Sequence, residues 1–172
     1  DRAAAYARQV GKPKTSRKQI DWEKARVYAP VKRSSGVEWR ELHAGISRAM
    51  QYYVGEFLTD PLLKMGLGAL QKIEKESVPL LFAMDPHKLM RSLEDTSLLT
   101  YAQIIIHAML ARKASSAPLN FQRIDYPTLD PPEWHHFLTV KLENNKVKTG
   151  KLPPTFWGNM KKQYEAHNKD YK

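Results

Sequence analysis

The chain has 172 residues, of which 42% are apolar and 27% charged, the balance of one folded domain with tails and not of a disordered segment. It contains no cysteine, which excludes disulfides, thiolate zinc sites, a cysteine nucleophile and a cysteine-ligated iron–sulfur cluster. The formal net charge of +10 sits at the ends: residues 1–35 hold ten Lys/Arg against three acids, residues 141–172 hold eight against three, and residues 36–140 hold ten against twelve.

Asp1 to Val10 is alanine-rich and helical in composition, and Gly11-Lys12-Pro13 supplies a glycine stop followed by proline. The absence of an initiator Met before Asp1 reads as a processed product or an excised piece of a longer chain, and Asp1 to Ala5 lacks the apolar core of a secretory signal. Ser16 to about Tyr28 reads as a second helix carrying Ile20, Trp22, Ala25 and Val27, ended by Pro30.

A clear amphipathic helix follows, in which Leu42, Ile46, Ala49/Met50, Tyr53 and Phe57 recur at three- and four-residue steps, with Ser34 or Ser35 available to cap its start. Thr59-Asp60-Pro61 reads as a stop and an immediate new start, with Asp60 as cap and Pro61 in the first turn. That helix carries Leu62/Leu63, Leu67, Leu70 and Ile73 until Pro79 ends or kinks it. Asp85-Pro86 repeats the cap-and-proline start, and Leu89, Leu93, Leu98, Tyr101/Ala102, Ile105 and Ala108/Met109 extend a third helix to about Arg112. At 1.5 Å per residue this helix is about 40 Å long. Short links make neighbouring helices antiparallel, so the expected fold is mainly α, an up-down-up three-helix bundle.

Beyond Ala114, four prolines from Pro118 to Pro132 hold the chain extended or in turns. Phe137 to Leu142, Asn144-Asn145 and Lys146 to about Leu152 predict a β-hairpin whose register places Leu142 opposite Val147 and Glu143 beside Lys146, with Lys141 opposite Lys148 at a mild cost. The expected organisation is therefore a helix end and linker over 1–15, a helical bundle over 16–114, an extended loop and hairpin over 115–152, and a basic tail over 153–172.

No catalytic or metal site is legible. The six histidines lack a metal-binding offset with carboxylate support, and His135 and His136 point to opposite sides of an extended segment. His107 reads as a core histidine with a hydrogen-bond partner. Gly66 and Gly68 lie within a helix, where they permit close approach and do not form a phosphate loop. The carboxylate pairs Glu74/Glu76 and Glu94/Asp95 fall on expected solvent faces. No apolar run reaches the ~20 residues of a membrane span.

The stretch from Ala111 to Ser116 and from Phe121 to Trp134 is different. It crowds two arginines, two aspartates, three aromatics and several prolines into what would otherwise be a connector, as loops that pack against something do. Here the sequence resembles the C-terminal region of the fumarate reductase, succinate dehydrogenase and adenylylsulfate reductase flavoprotein subunits. Their pattern of a long helix ending in Ala-x-Arg-x-x-Ser, then Arg-x-Asp-Tyr-Pro-x-x-Asp, a Trp and a hairpin, is matched by Ala111, Arg112, Ser115, Arg123, Asp125, Tyr126, Pro127, Asp130 and Trp134. Asp1 to Ala7 is similar to the alanine-rich helix that closes the FAD-binding domain of those proteins, and Gly36 to Phe57 fits their next helix.

The resemblance implies a spectrin-repeat-like bundle packed on the flavin domain of a parent FAD-dependent oxidoreductase, with an iron–sulfur subunit as a candidate electron-transfer partner. It implies a cytoplasmic protein, with a peripheral place on a membrane complex left open. FAD belongs to the parent. The FAD fingerprint and the substrate-binding residues lie in other domains, so no catalytic or cofactor-binding residue is assigned. Arg112, Arg123, Asp125, Tyr126 and Trp134 are the expected interface, with Arg123 and Asp125 in charge-assisted hydrogen bonds and Tyr126 and Trp134 supplying aromatic area. Ser115-Ser116-Ala117-Pro118 stands where many members have Ser-Arg-Gly, which leaves room for another substrate. The competing expectation is a free-standing basic module whose ends bind nucleic acid or an acidic protein, since Trp157, Tyr164 and Tyr171 interleave with the C-terminal lysines.

Overall fold

The structure, a computed structural model, describes residues 2–11, 15–144, 146–155 and 158–167. In chain order the elements are α1 (Arg2–Val10), α2 (Arg17–Val27), α3 (Trp39–Tyr53), β1 (Phe57–Leu58), α4 (Asp60–Glu76), α5 (Pro86–Ala111), β2 (Gln122–Arg123), β3 (Phe137–Glu143), β4 (Lys146–Leu152) and α6 (Met160–His167). Short 3-10 turns lie at Pro30–Lys32, Val78–Leu80 and Pro132–Trp134. The fold is mainly α with a C-terminal hairpin, as the periodicity predicts. Lys12, Pro13, Asn145, Trp157 and Tyr171 lie outside the described residues.

Three helices make the body. Leu42 and Ile46 of α3, Leu63 and Leu70 of α4, and Leu99 and Ile106 of α5 are at most 2% exposed and form one cluster. Each such side chain contributes about 1.5–3 kcal/mol by leaving water. Gly66 of α4 brings two helices close: a Cβ there would lie 2.6 Å from Tyr53 Cβ on α3. Gly68 has nothing within 4 Å of its Cβ position, so it plays no part in that approach.

Several helix starts differ from expectation. The cap of α3 is Glu38, not Ser34 or Ser35, because Gly36 and Val37 are tied to another segment: Val37 exchanges backbone hydrogen bonds of 2.9 Å with Leu80 and Phe82. A Cβ on Gly36 would run into the Leu80 carbonyl, so this crossing favours glycine. For α4 the cap is Thr59, whose hydroxyl accepts from Leu62 N–H at 3.3 Å, which places Asp60 in the first turn. Asp85 caps α5 as read, accepting from Lys88 N–H at 2.8 Å.

The buried face of α5 keeps Ala102 of the expected stripe, with Met109 packed against the core, and departs from it at other positions. Ser92, Asp95, Leu99, Ala102 and Ile106 are buried, whereas Leu98, Tyr101 and Ile105 are exposed. This helix is apolar on more than one side and two of its buried positions are polar, so hydrophobicity alone does not single out the buried face. Asp95 is accordingly not on a solvent face; its carboxylate accepts from His43 Nδ1 of α3 at 2.9 Å. Glu94 beside it is exposed and pairs with Arg91. His107 is half-buried with no hydrogen-bond partner among the described residues, and burial pushes its pKa below the usual histidine value.

The hairpin has the expected register, with Leu142 opposite Val147, Glu143 opposite Lys146 and Lys141 opposite Lys148. Lys141 and Lys148 both reach Glu143, which offsets their mutual repulsion. The turn begins at Asn144 with φ of +51°, a conformation asparagine tolerates. The stretch expected as a basic tail contains the short helix α6.

Candidate interaction site

At its C-terminal end α5 gives way to extended backbone at Arg112, and the chain doubles back on itself. Ser116 and Phe121 exchange backbone hydrogen bonds of 2.8 and 3.0 Å around a turn, and Ser115 pairs with the Thr128–Asp130 strand segment on its other side. β2 then pairs in parallel with β1, with Ile124 N–H donating to the Leu58 carbonyl at 2.9 Å. The buried Ser115 hydroxyl knots these turns together. It accepts from Arg123 N–H at 2.8 Å and donates to the Tyr126 carbonyl at 2.9 Å.

Arg123 is the centre. Its side chain is fully buried, yet all five of its N–H groups are used inside the chain. Nε and Nη2 donate to the two oxygens of Asp125, each at 2.8 Å, in a bidentate fork. Nη1 donates to the carbonyls of Met109 at 2.8 Å and Arg112 at 3.1 Å, near the end of α5. Nη2 also donates to Asp60 Oδ1 at the start of α4. One guanidinium thus ties the loop to two helix ends.

Two carboxylates complete this clasp. Asp125 accepts from Arg123 and from Asp60 N–H at 2.7 Å, an unpaired donor of the α4 N-terminus. The Arg123 hydrogen bonds, helped by that N–H, hold its pKa at about 2. Asp60 receives Lys113 Nζ at 2.8 Å on both oxygens, and Lys113 followed by Arg123 keeps its carboxyl below the ordinary range. Lys113 Nζ and Arg123 Cζ also each lie 4.9 Å from the centre of the half-buried Tyr126 ring, within cation–π range.

Arg112 is bound more loosely. It is buried, but its contacts to the Trp134 carbonyl and the Asp130 carboxylate are 3.4 and 3.6 Å, and its Nε has no partner. Its guanidinium lies 5.7 Å from the half-buried Trp134 ring, over which Lys151 of β4 sits at 4.4 Å. Asp130 adopts a φ of +43° that lets its carboxylate accept from Ala117 N–H at 3.0 Å. The Ser116 hydroxyl and that N–H lower its pKa.

The five residues singled out from sequence therefore fall into two groups at one end of the bundle, Arg123, Asp125 and Tyr126 in the clasp, and Arg112 with Trp134 beside it. Asp60, Lys113 and the Ser115 knot complete the arrangement. Asp60 carried a signal as a carboxylate at a helix start, but its partner is 63 residues away in sequence. On the outer side of the loop a groove of about 450 Å³ is lined by Phe57, Ile124, Pro127 and Leu129 together with Ser115 to Ala117.

Among the described residues no group of three His, Asp or Glu could hold a metal ion, and no helix is long and apolar enough to cross a membrane. Gly66 and Gly68 lie inside α4 and form no phosphate-cradling turn, so they do not fit the diphosphate of a dinucleotide.

A helical body closed by a hairpin, with an Arg-x-Asp-Tyr-Pro loop folded over the end of its longest helix, is the architecture of a flavoprotein C-terminal domain. The chain belongs to the family described as fumarate reductase flavoprotein C-term, which it matches over residues 43–162. No curated protein matches it by sequence. Among solved structures it is similar to adenylylsulfate reductase from the hyperthermophilic Archaeoglobus fulgidus, with a TM-score of 0.77 and 23% identity over 84% of this chain and 26% of that one. It is similar also to the quinol fumarate reductase subunit FrdA of E. coli, with a TM-score of 0.71 and 17% identity over 88% of this chain and 27% of that one. Sdh1 of Mycobacterium smegmatis, solved with UQ1, gives a TM-score of 0.69 and 20% identity over 88% of this chain and 26% of that one. The chain spans about a quarter of the length of each.

Proposed function

We propose that this chain is the C-terminal helical domain of an FAD-dependent oxidoreductase and that its role is structural: it packs on the flavin-binding domain of the parent and performs no chemistry itself. In this reading residues 1–15 close the flavin domain and lead away from it, 16–114 form the bundle, 115–152 form the contact loop and hairpin, and 153–172 are a basic tail. The interface lies at the loop that carries Arg112, Arg123, Asp125, Tyr126 and Trp134: the partly exposed Tyr126 and Trp134 reach its surface, and the buried Arg123, with Asp125, fixes its shape from within.

The observation that carries this reading is the clasp itself. Its buried cation and two carboxylates are spent on fixing the shape of a loop, and a loop fixed so firmly at a bundle end presents a surface. FAD, bound by the parent, would supply hydride and electron transfer there. The test is to titrate FAD into the purified chain and, separately, to mix the chain with the flavin-binding portion of the parent. The expected result is no flavin absorbance retained by the chain and a one-to-one complex in sedimentation. Tight stoichiometric FAD on the chain alone would overturn the proposal.

A further inference from the structure

Resting on the docking just proposed, we infer the chemistry of the contact: it is apolar, made by Phe57, Leu119, Ile124 and Leu129 receiving a hydrophobic segment of the flavin-binding portion of the same polypeptide. Arg123 lines the same groove, and its guanidinium reaches no partner atom.

Four large apolar side chains surround one groove and remain 55–66% exposed. Phe57, Ile124 and Leu129 line it directly, and Leu119 stands on the Ala117–Asn120 turn, both ends of which also line it. The exposed Asn120 and Gln122 give the groove a polar edge, so the patch has the apolar centre and polar rim of a protein interface. Arg123 lies against the same groove but has no donor left for a carboxylate from outside, since its five N–H groups are satisfied within the chain. Asp125 accepts two hydrogen bonds from Arg123 and one from the α4 N-terminus. The occupant is the flavin-binding portion, because the matched structures are about four times as long as this chain and a polypeptide of that length has most of its residues outside this domain to cover the face.

The experiment measures association of the full chain with the flavin-binding portion. The double variant Ile124→Asp, Leu129→Asp is expected to weaken the complex at least about tenfold, roughly 1.4 kcal/mol, and the milder Ile124→Ala, Leu129→Ala pair to weaken it less. Both pairs sit on the surface, and an unchanged melting temperature confirms that they fold. Tyr52→Asp, at the 73% exposed Tyr52 on α3, is expected to leave binding unchanged. Affinity is expected to hold within about twofold between about 0.1 and 1 M salt, where the screening length shrinks from about 10 to 3 Å. Folded loop variants that bind as tightly as the natural chain, or a complex that salt dissolves, would overturn the apolar face and leave docking intact. Absence of any complex with the natural chain would overturn docking and this inference together.

Discussion

Helices α2 and α3 stand in contrast. α3 buries Leu42, Ile46 and Ala49 against α4 and α5, whereas α2 buries nothing and exposes Ile20 and Trp22. What holds α2 is local: Ser16 and Gln19 form a reciprocal capping box at 3.0 and 3.1 Å, and Arg17–Asp21 and Arg26–Glu23 brace its surface. α1 likewise buries no residue. A helix can thus be specified by its own sequence while most of its apolar side chains stay exposed. The bundle instead depends on contacts between segments far apart in the chain.

Arg123→Met should sharpen this contrast most. It strips Asp60 and Asp125 of their buried cation and leaves the Met109 and Arg112 carbonyls at the end of α5 without that donor, so a loss of about 3–5 kcal/mol is expected in urea unfolding of the bundle. The α2 capping box has no contact with the clasp and should survive. Acid acts on the same clasp with a smaller effect. Asp125 titrates at about 2 in the fold, and its unfolded value is near 4, so its contribution is complete above about pH 4 and drains away as pH falls through about 2. Asp60, also shifted down, adds to this in the same direction. The melting temperature should fall across that window in the natural chain and fall less steeply in Asp125→Asn. The smallest effect belongs to Ser16→Ala, which removes a helix cap worth about 1 kcal/mol. It should lower helicity over 17–27, seen in amide chemical shifts, without moving the unfolding midpoint of the bundle.

Much of the fold was legible because its signals are local. Asp85-Pro86 set the start of α5, and the Asn144 turn fixed every pair of the hairpin. The buried stripe of α5 is only partly legible because Ser92 and Asp95 lie on it, and their burial depends on Lys88 O and His43, which no hydrophobic period encodes. The site was legible as a family pattern around Arg123-x-Asp125-Tyr126-Pro127. Its geometry was not, since Asp60 and Lys113 join the clasp only when α4 and α5 bring their ends together.

The most direct measurement of the central claim is hydrogen exchange on this chain alone and on the parent protein that carries the flavin-binding portion. If the chain is a docked structural domain, amides in β1, β2 and residues 117–130, and those of α1 and α2, gain protection in the parent while those around Tyr52 on α3 keep their rate. Equal exchange at the loop in both samples, with new protection around Tyr52 instead, would contradict it.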